Sequence, residues 1–113
     1  MSYQQVEFCI RACIDCAVAC EQCGEACLAE PDVGMMVDCI RLARDCATLC
    51  WNAADFLSRN SPFAAELCRV CADLCEACAA ECEKHEPEHC QQCAEECRRC
   101  AEECRRLAGV AVA

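Results

Sequence analysis

Cysteine recurs along this chain at alternating steps of three and four residues, and no other feature limits its folding so tightly. Cys9, Cys13, Cys16, Cys20, Cys23 and Cys27 step 4-3-4-3-4. Cys68, Cys71, Cys75, Cys78 and Cys82 step 3-4-3-4, and Cys90, Cys93, Cys97, Cys100 and Cys104 repeat that pattern. A sparser run carries Cys39, Cys46 and Cys50, with Ala43 and Ala53 at in-phase positions. A mean step of 3.5 residues marks the a/d seam of packed helices. Cysteine therefore stands where Leu and Ile usually fill a core, and four such stripes converging on one axis make a tube of sulfur.

The breaks between the runs divide the chain into helices. Ser2 with Gln5 has the form of a capping box. Glu30-Pro31-Asp32 interrupts the chain, with Asp32 placed to cap a second helix. Arg59-Asn60-Ser61-Pro62 does the same, with Ser61 as N-cap and Pro62 at the first helical position. His85-Glu86-Pro87 is the third break, and Gly109 is placed to stop the last helix. These signals predict helices over 3–28, 33–58, 62–84 and 88–108. Three short connections force antiparallel neighbours, giving an all-α, up-down-up-down four-helix bundle. Its 113 residues suit a single domain spanning 1–113. Glu95, Glu96, Glu102 and Glu103 precede Arg98, Arg99, Arg105 and Arg106 at the spacing of ion pairs on a solvated face.

Charge excludes some partners. The chain carries 20 acidic against 10 basic residues, for a net charge of -10. Nucleic acids and anionic membranes are bound through clustered Lys and Arg, so neither is expected. No stretch approaches the ~20 apolar residues of a membrane span. The N-terminal residues lack a basic-then-apolar leader, so the chain is expected to remain in the cytosol, where thiols stay reduced.

Nineteen cysteines need a purpose that packing does not supply. Leu buries more apolar area than Cys and carries no reactive group. Disulfides fit poorly, because i,i+3 and i,i+4 Cβ atoms lie ~5–6 Å apart and a disulfide wants ~3.5–4.5 Å. A metal between two sulfurs spans that gap, and eight pairs offer it: Cys9/Cys13, Cys16/Cys20, Cys23/Cys27, Cys46/Cys50, Cys71/Cys75, Cys78/Cys82, Cys93/Cys97 and Cys100/Cys104. Thiolates select Cu(I), Zn(II) or iron–sulfur clusters. One Cu(I) per thiolate leaves a neutral core, whereas Zn tetrathiolate sites would together bury a charge of roughly -9 to -10 without counter-ions. Cluster-binding spacings such as C-x2-C-x2-C-x3-C-P are absent. Many Cu(I) ions are therefore the expected cargo, with a Zn or Cd buffer of metallothionein type as the alternative. A thiol enzyme would want one exposed Cys beside basic groups, and the core Cys lie among Cys, Ala and Leu, so no catalytic role is expected.

The two ends of the bundle differ. One collects Met35, Met36, His85 and His89 beside Cys27, Cys39, Cys82 and Cys90; Met36, His85 and His89 join the candidate ligands as a way in for copper. The other collects Tyr3, Phe8, Trp51, Phe56 and Phe63, an apolar plug in this reading.

The repeated Cys-x3-Cys-x2-Cys runs over Cys9–Cys27, Cys68–Cys82 and Cys90–Cys104, with the sparser Cys39, Cys46 and Cys50, resemble the bacterial four-helix-bundle copper storage proteins, in their cytosolic branch. The resemblance covers essentially the whole chain. It implies Cu(I) sequestration inside the bundle, ligation mostly by cysteine thiolates, and assembly into homotetramers.

Overall fold

The structure, a computed structural model, describes residues 2–112. Helix α1 spans Tyr3–Leu28, and a 3-10 turn at Val33–Met36 leads into α2, Val37–Ser58. Helix α3 spans Ala64–Cys82 and α4 spans Glu88–Val112. Each helix packs against two neighbours, α1 on α2 and α4, α3 on α2 and α4, which closes the ring of an up-down-up-down bundle. The body is a narrow rod of 46 × 19 × 18 Å. It is slender because its interior residues are small: among the described residues, apart from Met36, Leu57 and Leu107, every buried side chain is Cys or Ala, Gly24 aside. No helix among the described residues is long and apolar enough to cross a membrane.

The ends of the helices depart from expectation in instructive ways. Ser2 does close a capping box with Gln5, its Oγ accepting from the Gln5 N–H at 3.1 Å. Asp32 makes no side-chain cap, because the chain tightens through the 3-10 turn before α2 begins. Ser61 is not the N-cap of α3. Its Oγ accepts from the Phe63 N–H at 3.1 Å, which shapes a turn and delays the helix to Ala64. Gly109 does not stop α4, which continues to Val112. A stopping Gly adopts a left-handed backbone, and no described glycine has positive φ.

The charged face of α4 also divides its partners differently. Arg99 pairs with Glu96 at 2.9 Å and Arg106 with Glu103 at 2.7 Å, as the spacing predicts. Arg98 and Arg105 reach across instead, Arg98 to Glu83 at 2.8 Å and Arg105 to Glu76 and Asp73 at 2.6 and 2.8 Å. Arg99 also meets Asp15 of α1 at 2.8 Å. Such exposed pairs contribute about 0–1 kcal/mol each. They register α4 against α1 and α3 more than they hold the rod together.

Candidate metal centre

All nineteen thiols turn inward, and each cysteine is wholly buried. None is in a disulfide. The interior holds no buried polar or charged side chain among the described residues, so sulfur is the principal donor along the axis.

Seven of the eight same-helix pairs expected from spacing bring their Sγ atoms to 3.9–4.0 Å. Cys9 turns to α4 instead, with Sγ 3.8 Å from that of Cys104. Contacts between helices are as close: Cys39 to Cys82 and Cys46 to Cys75 at 3.5 Å, Cys50 to Cys71 and Cys20 to Cys97 at 3.6 Å. Three sulfurs ~3.9 Å apart enclose a point ~2.3 Å from each, the length of a metal–thiolate bond. A tetrathiolate with bonds of that length has edges of ~3.8 Å. Spacing alone thus admits three- or four-coordinate ions, and other properties must choose between them.

Two properties do. The fourfold sets Cys16/Cys46/Cys50/Cys75, Cys16/Cys20/Cys46/Cys97 and Cys20/Cys78/Cys93/Cys97 share corners, each set having all its sulfurs within 4.8 Å. Cys16, Cys20, Cys46 and Cys97 each belong to two of them. Isolated tetrathiolate ions need private ligands, whereas thiolates shared between sites suit a continuous metal–sulfur cluster. The second property is the absence of buried compensating charge. Tetrathiolate dianions along this axis would lie unpaired, at several kcal/mol per ion; singly charged soft ions, one per thiolate, leave none. At the histidine end burial pushes the Cys27 thiol up to about 11 and raises Cys90 as well.

The end bearing the histidines treats its candidate ligands unequally. His89 Nδ1 lies 3.6 Å from Cys23 Sγ and 3.6 Å from Cys90 Sγ, and those two sulfurs are 3.9 Å apart. An ion ~2.0 Å from the nitrogen and ~2.3 Å from each sulfur would subtend angles of about 115° at this triangle, close to a planar three-coordinate site. His85 is engaged elsewhere. Its Nε2 is 2.9 Å from Glu81 Oε2, and this contact holds the Glu81 carboxyl below its ordinary range. Met36 is buried against the cysteine cluster, while Met35 is 67% exposed.

The opposite end is closed, but not by the aromatics expected there. Tyr3, Phe8, Trp51 and Phe63 are exposed, and Phe56 packs only partly against the core. Leu57 and Leu107, 3% and 2% exposed, fill the interior at that end instead. Aromatic rings are too broad for a seam whose neighbours are Cys and Ala, and they are left on the rim. Two polar residues at the histidine end escaped the sequence reading. Glu81 lies one helical turn before His85 and was within reach of a spacing argument. Glu30 is brought to His89 only by the packing of α1 against α4.

The profile of the copper storage protein family matches residues 2–109. No relative matches among curated protein sequences. Among solved structures, the Cu(I)-bound copper storage protein BsCsp3 is 49% identical, with a TM-score of 0.89 over 92% of this chain and 98% of its own. The apo form of copper storage protein 3 from Bacillus subtilis is 49% identical, with a TM-score of 0.84 over 90% and 97%. A cytosolic copper storage protein from Streptomyces lividans, described with five coppers, is 39% identical, with a TM-score of 0.91 over 94% and 93%. With a family match across nearly its whole length and cysteines lining the same kind of bundle, this chain belongs to the copper storage protein family.

Proposed function

We propose that the chain stores Cu(I) in the cytosol, holding many ions on the cysteine thiolates of its core. The observation that carries this reading is an interior of nineteen buried thiols with shared corners and no buried charge. Such a core takes singly charged soft ions up to neutrality. A Zn or Cd buffer meets the same sulfurs, but leaves uncompensated charge along the axis. Storage, not catalysis, suits thiols that are wholly buried and away from substrates. The cytosolic location rests on the Streptomyces relative.

Copper is admitted at the end bearing His89, Met36 and His85, since the other end is filled by Leu57 and Leu107. His89 and Met36 lie against the sulfurs and serve as ligands there, while His85 works from its contact with Glu81. The chain assembles with copies of itself, as a homotetramer. What supports assembly is an apolar line along α1, the exposed Tyr3 and Ile14 with the half-buried Val6 and Ile10, bordering an open groove of about 980 Å³ that Leu57 also lines.

Anaerobic titration with Cu(I), read by native mass spectrometry, tests the storage reading. Saturation is expected near one ion per thiol, about nineteen. Saturation at four or five ions would support separate tetrathiolate sites and sink it.

A further inference from the structure

Among the described residues, His89 Nε2 is buried without a hydrogen-bond partner. The group facing it is the carboxylate of Glu30, with Oε1 at 3.6 Å. That is a few tenths of an ångström beyond an ordinary N–H···O bond of ~2.7–3.2 Å. Both side chains are only 27% exposed, so water does not fully replace the contact. Glu30 sits where α1 ends, its N–H donating to the Cys27 carbonyl at 3.2 Å, and Pro31 disfavours helical continuation there. Its carboxylate thus spans from the end of α1 to the start of α4.

We propose that Glu30 is a positioning residue that sets which nitrogen of His89 faces the sulfurs. The inference rests on the storage reading and on His89 as a ligand within it. A neutral imidazole carries its single N–H on one nitrogen and a lone pair on the other. With the proton on Nδ1, a bare Nε2 lone pair would oppose the Glu30 carboxylate, and the N–H would point at the sulfurs. With the proton on Nε2, the N–H donates to Glu30 and the Nδ1 lone pair faces the gap between Cys23 and Cys90, 3.6 Å from each sulfur. The carboxylate therefore selects the tautomer that binds a soft ion through Nδ1. Metal-binding histidines commonly donate their second N–H to a carboxylate, and losing such a partner costs about 10–100-fold in affinity. His85 serves as the internal contrast. Its Nε2 is already bound to Glu81, near the end of α3, at 2.9 Å.

Three measurements test the proposal. Long-range 1H–15N spectra of the metal-free protein should show His89 as the Nε2–H tautomer in the wild type, mixed in Glu30→Ala, and largely restored in Glu30→Gln, which keeps an acceptor. Competition titration near saturation, where the ions held at the histidine end are the last to bind, should show about a tenfold loss of affinity for the final ion in Glu30→Ala, with total capacity unchanged. In a His89→Ala background the same change should add nothing. An unaltered tautomer in Glu30→Ala, or an equal affinity loss with His89 removed, overturns the assignment. The tautomer is read without copper. A wild-type chain that takes up no copper would therefore overturn the storage reading, while the Glu30 contact is still judged on its own spectrum.

Discussion

Removing one thiol separates two ways in which capacity can be set. Cys16 belongs to two of the corner-sharing fourfold sets. If capacity counted sites, Cys16→Ala would lose two ions; if it follows charge, the loss is one. Native mass spectrometry should show saturation at about eighteen, since each missing thiolate removes one negative charge to be balanced. The two ends of the rod give a second residue-level contrast. Met36→Leu with His85→Ala and His89→Ala is expected to slow stopped-flow loading from a Cu(I) donor while leaving capacity nearly intact. Phe63→Ala should leave loading unchanged and shift stability by no more than about 0.5 kcal/mol, because this ring is 63% exposed. Equal rates for the triple variant and the wild type would make the histidines ordinary surface residues. Every cysteine could be placed from the sequence, because a strict heptad step leaves only one face for it. The pairing of His89 with Glu30 could not: it depends on how α1 lies against α4, which no local spacing encodes.

The first and last helices offer tests of how a helix begins and ends. Ser2 and Gln5 close their reciprocal cap, so Ser2→Ala should cost about 1 kcal/mol, read as a lower midpoint of thermal unfolding. Gly109 sits within α4, with open space where a Cβ would be added. Gly109→Ala should therefore stabilise by about 0.5–1 kcal/mol. A loss of stability there would mean that the glycine has a role at the helix end after all. Gly24 is in a similar position: an added Cβ would lie 3.7 Å from Arg44 Cγ, an ordinary contact. The limits of α1 were legible because a capping box is a pattern of local partners. The start of α3 was not, because the Ser61 hydroxyl takes the Phe63 N–H in a turn instead of capping the helix.

The rod as a whole holds together without its cargo. Protonated thiols are small, mildly apolar groups, and no buried charge in the core waits for a metal to balance it. Far-ultraviolet circular dichroism of the reduced, metal-free protein should show high helicity; a coil spectrum would refute the preformed tube. Burial pushes the Cys27 thiol up to about 11, so an ion binding there must displace its proton. Below that value an ion bound to Cys27 releases about one proton, so its apparent affinity weakens by about tenfold for each unit that pH falls. Pulse loading in buffer with a pH indicator checks the ratio; release of no protons would mean the thiols were already ionised. With Leu57 and Leu107 filling one end and sulfurs 3.5–4.0 Å apart along the rest, ions entering at the histidine end are expected to advance by exchanging one thiolate for the next, in order of arrival. Such a queue empties in reverse order. If the first half of the load is copper-63 and the second half copper-65, a chelator that withdraws a few ions should recover mostly copper-65. The oldest metal would then stay longest, and a cell drawing on this reserve would spend its recent intake first.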